Sequence, residues 1–264
     1  MQSLKYNLLN IIQEDINGLL SVVENANSAI MEIYNNNSAI VEIKEDNSPL
    51  TQADIASHHI ITKALAELFP SIPVISEEGS ETENLEIVGQ STYWIIDPLD
   101  GTQDFVNRTG DFCIAIGLVA DGRPIFGLVS APTMDTVYYG GPLMGSYKKV
   151  GNAEAEQIHT SLLNPHVVAI SRSHTSEVTE QYIRDNYPGA TLKKLGSMLK
   201  QVALAEGKLD IYPVIDQKLN LWDVAAGQAI IEGAGGSLRR FDGASINWNE
   251  TVDFKVGDFI AKAD

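Results

Sequence analysis

The sequence is poor in cysteine, in basic residues and in long apolar runs. Its 264 residues include one cysteine, Cys113, which excludes a disulfide scaffold and is typical of a reducing compartment. The 18 Lys and Arg residues face 35 Asp and Glu residues, so the formal net charge is −17. This acidic excess argues against binding to nucleic acid or to an anionic membrane surface. An anionic substrate would therefore need bound metal ions or a few local basic residues.

Targeting segments and several common catalytic motifs are also missing. The N-terminus lacks the basic start and apolar block of a signal peptide, and no apolar run approaches the roughly 20 residues that span a bilayer. We therefore expect a cytoplasmic protein without stable membrane insertion. The sequence also has no Gly-x-x-x-x-Gly-Lys loop, no Gly-x-Ser-x-Gly elbow and no Rossmann fingerprint after the first strand, which argues against the enzyme classes built on them.

Hydrophobic periodicity predicts a mixed α/β protein. Helical spacing over residues 4–34 indicates one or two amphipathic helices, bent near Gly18, and a further helix is expected to begin at Thr51. Apolar segments between residues 74 and 141 are typical of strands, two of them joined by the Asp-Gly pair at 121–122.

The second half of the chain has a different pattern. The hydrophobic signal thins around residues 145–165, and beyond it strands alternate with helices, which is typical of an α/β layer. We therefore predict two lobes. An N-terminal α+β lobe at 1–160 would carry most of the candidate metal ligands, and a C-terminal α/β lobe at 161–264 would carry Asp223 and the substrate-binding segments.

One segment, "WIIDPLDGT" at residues 94–102, combines a buried strand with two acids and a tight turn. Asp97 would stand at the strand end, and Asp100 three residues later can face the same point. The Leu99 carbonyl between them adds a third hard oxygen donor, and Mg²⁺ prefers such ligands. Gly101 and Thr102 offer backbone N–H groups that can face an anion. A turn with an aspartate cap is the alternative interpretation.

Other acids follow strands or begin helices. Glu77 and Glu78 end the strand of "IPVISEEG", and adjacent residues point apart, so one of them is expected to reach a common site. Asp223 stands where the helix of "WDVAAGQAIIEG" should begin, and Asp54 forms a capping-box spacing with Thr51. A solvated loop and two helix caps are the alternatives for these acids.

Read in chain order, these segments resemble one family over nearly the whole sequence. "SPLTQAD", "SEEG", "DPLDGT" and "LWDVAAG" with "GAGG" downstream are similar to the motifs of the inositol monophosphatase superfamily of Li⁺-sensitive, Mg²⁺-dependent phosphomonoesterases. The resemblance implies an α/β (α+β) fold, a layered α-β-α-β-α sandwich of the inositol monophosphatase and fructose-1,6-bisphosphatase type. It also implies two or three bound Mg²⁺ ions and leaves monomer and homodimer both open.

Within the superfamily, the chain looks most like the 3′(2′),5′-bisphosphate nucleotidases of bacterial sulfur metabolism. "SRSH" at residues 171–174 and "GSMLK" at 196–200 are similar to segments that inositol phosphatases usually lack. This resemblance implies hydrolysis of adenosine 3′,5′-bisphosphate to AMP and phosphate. The alternatives are an inositol monophosphatase or other sugar-phosphate phosphatase and, in another class, a non-catalytic metal- or phosphate-binding protein.

The resemblance also implies residue roles. One Mg²⁺ would bind Glu77, Asp97 and the Leu99 carbonyl, and a second would bind Asp97, Asp100 and Asp223. A third ion would bind more weakly, with Glu77 as a ligand. The catalytic candidates are Asp54 and Thr102, which would orient and deprotonate the attacking water, and Glu78. The substrate-binding candidates are Gly101, Thr102, Ser171, Arg172, His174, Ser197 and Lys200.

Two positions depart from the nucleotidase pattern, and both remove positive charge. Val214 stands in "YPV" where relatives often have an arginine, and Gln103 stands where a lysine is usual. Lys218 is a candidate to replace the missing arginine. These departures leave the phosphatase prediction in place but favour a substrate other than the bisphosphate nucleotide.

Overall fold

Two β-sheets with helices on and between them organise the chain. The structure is a computed structural model that describes residues 2–36, 41–43, 49–172, 175–249 and 253–264. The helices are α1 (Gln2–Glu14), α2 (Ile16–Asn36), α3 (Gln52–Leu68), α4 (Glu81–Ile87), α5 (Thr102–Val106), α6 (Glu177–Asn186), α7 (Leu199–Ala205) and α8 (Ala225–Gly233). The strands are β1 (Val41–Ile43), β2 (Pro49–Thr51), β3 (Val74–Ser76), β4 (Thr92–Asp100), β5 (Cys113–Ala120), β6 (Arg123–Ala131), β7 (Thr136–Gly141), β8 (Gly145–Val150), β9 (Glu156–Ile158), β10 (Val167–Ser171), β11 (Thr191–Leu195), β12 (Ile211–Val214), β13 (Ser237–Arg239) and β14 (Phe259–Lys262).

The larger sheet contains seven strands in the order β3-β4-β5-β6-β7-β8-β9. Strand β3 runs parallel to β4, and the other neighbours are antiparallel. Asp121 and Gly122 join β5 to β6 with φ values of 50° and 69°. Positive φ at both central residues is what a tight two-residue hairpin requires, so the predicted Asp-Gly turn is confirmed.

The smaller sheet contains five strands in the order β11-β10-β12-β14-β13. Strand β10 is parallel to β11 and β12, whereas β14 is antiparallel to both of its neighbours. The predicted boundary at residue 160 falls between β9 of the first sheet and β10 of the second. The division into two lobes stays a prediction, since one apolar cluster contains residues of both sheets, such as Ile95 and Tyr212.

Helices cover both sheets and separate them. Helices α1 to α3 lie on the outer face of the large sheet, α7 and α8 lie between the sheets, and α6 covers the small sheet from outside. A large outer core includes Leu19, Ile61 and Trp94, and a smaller one includes Ile170 and Ile183. This arrangement confirms the α-β-α-β-α layering. Within the described residues, no helix combines the length and apolarity needed to cross a bilayer.

Several sequence-based boundaries differ from the structure. The first helical segment breaks at Asp15, not at Gly18, which lies inside α2. A Cβ at Gly18 would lie 3.5 Å from Leu68 Cδ2, an ordinary van der Waals contact, so the packing of α2 on α3 does not require glycine here. The closing strands β13 and β14 are separated by a long segment and not by a simple turn. Strands β8 and β9 occupy the region where the hydrophobic signal thins, because their side chains are mostly exposed or half-buried.

Helix α8 passes close to the sheet at Gly127 on β6. A Cβ at this position would lie 2.1 Å from the carbonyl oxygen of Ala226 in α8. We expect Gly127→Ala to lower the free energy of unfolding by about 3 kcal/mol, because the backbones must move apart. Chemical denaturation followed by circular dichroism measures this change.

Gly18→Ala is the matched control. It introduces the same methyl group inside a helix with ordinary van der Waals contact to Leu68. Its helix propensity should raise stability by up to about 1 kcal/mol. Equal effects of the two substitutions would contradict the tight packing of α8 on the sheet at Gly127.

Candidate metal centre and active site

The end of β4 brings two aspartates to the same side of the sheet. Asp97 pairs with Ala115 and Asp100 pairs with Cys113, so β4 has one residue more than β5 between these pairs. Residues three apart on a regular strand point to opposite faces, and the extra residue of a β-bulge restores a common direction. Asp97 is 2% exposed, and its Oδ1 accepts a hydrogen bond of 3.0 Å from Leu99 N–H.

Glu77 reaches the same point from β3. Its N–H donates to Ile96 O at 3.2 Å, which aligns it with the end of β4. The preceding residue, Ser76, is held by Asn84, whose Oδ1 accepts from Ser76 N and whose Nδ2 donates to Ser76 O at 2.7 Å. Asn84 lies in a helix that the sequence pattern did not reveal. Neither its position nor its spacing from Ser76 gave a signal for this role.

Asp223 completes the cluster from the turn before α8. One carboxylate oxygen each of Glu77, Asp97 and Asp223 lies within 4.8 Å of the other two. Asp223 Oδ2 accepts a 2.7 Å hydrogen bond from Asn220 N–H. The expected helix-cap role of Asp223 is wrong, because the residue before the helix is Val224 and no side chain caps it.

Asp100 lies beside this cluster and faces a different set of partners. Its Oδ2 accepts a 2.5 Å hydrogen bond from Met198 N–H and lies 3.7 Å from the thiol of Cys113. Burial raises the pKa of Asp100 to about 6, although the charge of Lys200 opposes the shift. Asp100 therefore links the cluster to the first turn of α7.

Burial and mutual repulsion make the cluster reluctant to ionise. Burial raises the pKa of Asp97 well above its usual range, and the charges of Glu77, Asp100 and Asp223 raise it further. Burial likewise raises the pKa of Asp223, with added repulsion from Asp100 and Glu77. A divalent cation would relieve this repulsion, and carboxylates with a backbone carbonyl are its preferred donors. The residues present thus fit Mg²⁺.

Asp54 and Thr102 form a hydrogen-bonded pair close to the cluster. Thr102 Oγ1 donates to Asp54 Oδ1 at 2.9 Å and also lies 3.1 Å from Leu99 O. Asp54 Oδ2 accepts from both the N–H and the hydroxyl of Thr51, which confirms the capping box at the start of α3. Asp54 thus serves as a helix cap and faces Thr102 at the same time.

The acid cluster, Asp100 and Thr102 line one cavity of about 280 Å³, and Asp54 is linked to it through Thr102. Its wall includes Pro49, Glu77, Asp97, Leu99, Asp100, Gly101, Thr102, Gln103, Asp104, Ser171, Gly196, Ser197, Lys200, Gln201, Tyr212, Gln217, Leu219, Asn220 and Asp223. Glu78 does not line the cavity; its N–H donates to Ser76 Oγ at 3.3 Å. His174 lies outside the described residues, so its predicted role has no structural counterpart.

Two residues predicted to bind the substrate, Ser197 and Lys200, lie close together at the start of α7. Ser197 adopts a φ of 48°, and its carbonyl accepts a 2.5 Å hydrogen bond from Lys200 Nζ. Lys200 is 6% exposed, and its Nζ lies 5.7 Å from the ring centroid of Tyr212. Burial lowers the pKa of Lys200, while the nearby charge of Asp100 counteracts the change.

Arg172 does not itself line the cavity and contacts two acids, Asp111 and the cavity-lining Asp104. Its guanidinium donates to Asp111 Oδ2 at 3.0 and 2.5 Å and lies 3.7 Å from Asp104. Asp111 Oδ2 also accepts from Gly196 N–H at 2.8 Å. The predicted phosphate ligand thus joins the loop after β10 to the segment after α5. No sequence motif indicated Asp111 as its partner.

Gly101 allows the chain to turn beneath the cavity. Its φ of +95° is disfavoured for other residues, and a Cβ there would lie 2.8 Å from Asp111 O.

The two residues that depart from the nucleotidase pattern, and the lysine that could compensate for them, have different surroundings. Val214 is fully buried in β12, Lys218 is exposed and does not line the cavity, and Gln103 lies in its wall.

The fold and the acid cluster together define a layered α/β protein with a candidate divalent-metal centre. The model of the inositol monophosphatase family matches residues 12–263, and the chain belongs to this family. It is 37% identical over 225 residues to the 3′(2′),5′-bisphosphate nucleotidase CysQ of Buchnera aphidicola, with 81% of this chain and 80% of that protein covered. It is 35% identical over 206 residues to CysQ of Escherichia coli K12, with coverages of 78% and 82%.

Solved structures support the same assignment. CysQ from Bacteroides thetaiotaomicron has a TM-score of 0.83 and 32% identity, with 95% of this chain and 97% of that chain covered. An inositol monophosphatase from Thermotoga maritima has a TM-score of 0.76 and 24% identity, with coverages of 94% and 92%. The second similarity concerns the fold alone.

The acid cluster predicts an unusual pH dependence of stability. The folded-state pKa values of Asp97, Asp100 and Asp223 are raised, so the folded protein retains protons that the unfolded chain releases at about pH 4. Without divalent cations, this contribution to stability is lost as the pH rises through the folded pKa, about 6 for Asp100. Melting temperatures in EDTA should fall between about pH 5 and about pH 8, and excess Mg²⁺ should restore them.

Asp97→Asn tests the origin of this effect. The amide oxygen can still accept the Leu99 N–H, but one buried charge is removed. We expect a higher melting temperature in EDTA, a flatter pH profile and loss of the response to Mg²⁺. Asp210→Asn, at a fully buried aspartate outside the cavity, should keep the Mg²⁺ response. A wild-type melting temperature that does not change with Mg²⁺ would rule out this cluster as a metal centre.

Proposed function

We propose that this protein is a Mg²⁺-dependent 3′(2′),5′-bisphosphate nucleotidase that hydrolyses adenosine 3′,5′-bisphosphate to AMP and phosphate. The observation that carries the proposal is the placement of the Glu77, Asp97 and Asp223 carboxylates in one cavity with Thr102, whose hydroxyl lies 2.9 Å from Asp54 Oδ1. The nucleotidase names of relatives that are 30–37% identical support the choice of substrate. Cytoplasmic location, Li⁺ sensitivity and oligomeric state stay predictions.

In this proposal the metal ions share Asp97. Glu77, Asp97 and the Leu99 carbonyl would hold one Mg²⁺, Asp97, Asp100 and Asp223 would hold a second, and Glu77 would support a third. Bound Mg²⁺ supplies a lowered pKa for coordinated water and neutralises charge on the transferring phosphoryl group. The cluster supports this assignment, since its buried like charges are unfavourable without a cation.

Asp54 and Thr102 would prepare the attacking water. The Thr102 hydroxyl can donate to Asp54 Oδ1 or to the Leu99 carbonyl; when it donates to Asp54, its oxygen would be left to accept a hydrogen bond from water. Burial raises the pKa of Asp54, although hydrogen bonds from Thr51 and Thr102 oppose the shift. A raised pKa makes this carboxylate a better proton acceptor near neutral pH. We therefore assign proton acceptance to Asp54 through Thr102, and a catalytic role of Glu78 stays a prediction.

The substrate would be held at both of its phosphate ends. Backbone N–H groups of Gly101 and Thr102 would bind the scissile phosphate, and Ser197 with Lys200 would bind the second phosphate. Ser171 lines the cavity and would contact the nucleotide from the small-sheet side. Arg172 would act through its ion pair with Asp111, which holds Gly196 and Ser197 in place.

A second candidate is hydrolysis of inositol monophosphate or another sugar phosphate by the same residues. Among the described residues that line the cavity, Lys200 is the one Lys or Arg. A bisphosphate needs more cationic contacts than a monophosphate, so this composition favours the second candidate. A non-catalytic binding protein with the same fold is the third, and it would bind Mg²⁺ without releasing phosphate.

Phosphate release from adenosine 3′,5′-bisphosphate and from inositol 1-phosphate tests these candidates side by side. We expect Mg²⁺-dependent turnover, abolished by EDTA, with preference for the nucleotide. Asp97→Asn should lower turnover by at least about a thousandfold, since it removes a shared metal ligand. Asp210→Asn should keep wild-type turnover per folded molecule. Normal activity of Asp97→Asn would show that the proposed mechanism is wrong, and preference for inositol 1-phosphate would replace the proposed substrate.

Lys200→Met tests the anchor for the second phosphate. We expect KM for adenosine 3′,5′-bisphosphate to rise about tenfold, because a charge-assisted contact is worth roughly 1.5–3 kcal/mol. KM for a monophosphate substrate should change much less. Lys218→Met is the control, because Lys218 is exposed and does not line the cavity. If Lys218→Met raises KM for the bisphosphate and Lys200→Met does not, Lys200 is not the anchor, and the second phosphate binds near Lys218.

A further inference from the structure

Gln201 is a buried polar side chain in α7, the helix that lies between the sheets. Every residue of α7 is buried, and Gln201 is 2% exposed. Its Nε2 donates a 2.8 Å hydrogen bond to the backbone carbonyl of Asp223. Its Oε1 is buried and has no hydrogen-bond partner among the described residues. Burying an amide oxygen without a partner costs stability, so this position calls for an explanation.

The orientation of the Gln201 amide is fixed by its acceptor. Reversing the amide would place Oε1 against the carbonyl oxygen of Asp223, and two acceptors cannot hydrogen-bond each other. The unpaired oxygen is therefore a necessary consequence of the bond to Asp223.

Helix α8 is adapted to the same side chain. A Cβ at Gly227 would lie 1.9 Å from Gln201 Oε1 and 2.6 Å from its Cδ. Gly227 has no positive φ, so the close contact and not the backbone conformation requires glycine here. Glycine inside a helix lowers stability by about 1 kcal/mol relative to alanine. The hydrogen bond from Gln201 to Asp223 is therefore accompanied by two unfavourable features, the unpaired Oε1 and a glycine inside α8.

That hydrogen bond holds the residue that brings the third carboxylate to the cluster. Asp223 lies in a turn, outside any helix or strand, and its carboxylate is close to those of Glu77 and Asp97. Like charges at this distance repel, so a turn without support would move its carboxylate outward. Asn220 holds the carboxylate and Gln201 holds the carbonyl of the same residue.

We propose that Gln201 is a positioning residue of the metal centre, which fixes the backbone of Asp223 so that its carboxylate stays within ligand distance of Glu77 and Asp97. This inference rests on the proposed function, because it assumes that the three carboxylates bind a divalent cation. Gln201 does not contact the ion itself. Its effect is on the geometry of the site before the ion arrives.

The test separates metal affinity from stability with Gln201→Met and Gln201→Leu. Both remove the donor to Asp223 together with the unpaired Oε1. We expect Mg²⁺ affinity, measured by isothermal titration calorimetry, to fall by at least about tenfold, as is typical when a group that orients a ligand is lost. The melting temperature in EDTA should change little, because the loss of the buried unpaired oxygen offsets the loss of the hydrogen bond to the Asp223 carbonyl.

Gln228→Met is the matched control. Gln228 is also buried, 1% exposed, but its Nε2 donates to Glu232 and its Oε1 accepts from Trp248 Nε1. Neither atom contacts a residue of the acid cluster. We expect the opposite result for this variant, a lower melting temperature with unchanged Mg²⁺ affinity.

The outcomes distinguish this inference from the proposed function. Unchanged Mg²⁺ affinity in both Gln201 variants, with affinity lost in Asp97→Asn, would overturn the inference and leave the metal centre in place. Unfolding of both Gln201 variants would also overturn it, since the amide would then serve stability. If wild-type protein and Asp97→Asn bind Mg²⁺ equally, the proposed function fails first.

Discussion

Electrostatic repulsion between crowded carboxylates is the constraint on which the site depends. Glu77, Asp97 and Asp223 come from three distant parts of the chain and would separate if nothing held them. Each is therefore attached through its backbone or by a neighbouring group. A parallel strand pair and Asn84 hold the Glu77 turn, a β-bulge directs Asp97, and hydrogen bonds from both sides hold Asp223. The fold supplies the rigidity that a cation alone would otherwise have to provide.

The position of Asp223 depends further on how α8 lies between the sheets. The turn that carries Asp223 leads directly into this helix, so any displacement of the helix moves the carboxylate. Gly127 lets α8 rest on the backbone of β6, and Gly227 lets it rest on Gln201. Both contacts lie in the first turn of α8, so they fix the end of the helix that follows Asp223. The glycines that allow this packing therefore also help to set the position of the Asp223 carboxylate.

Features that depend on residues close together in the chain could be predicted from the sequence, whereas contacts between residues far apart in the chain could not. The motif around Asp97, the capping box at Thr51 and the Asp-Gly turn each lie within a few residues, so their physics is local. Arg172 was expected to bind phosphate, whereas it pairs with Asp111, 61 residues away. Asn84 and Gln201 likewise act on residues that only the fold brings near. Their roles depend on which element packs on which, and single-sequence patterns do not contain that information.

In the proposed function, Asp100 would couple metal binding to the recognition of a second phosphate. Without a cation, the charge of Asp100 faces Lys200, and this lysine is the one Lys or Arg among the described residues that line the cavity. If Asp100 binds Mg²⁺ as proposed, its negative charge is shared with the ion, and the positive charge of Lys200 becomes available to an anion. A protein with a net charge of −17 would then attract a bisphosphate only after its metal site is filled. Ordered binding, metal before nucleotide, follows from this arrangement of charges.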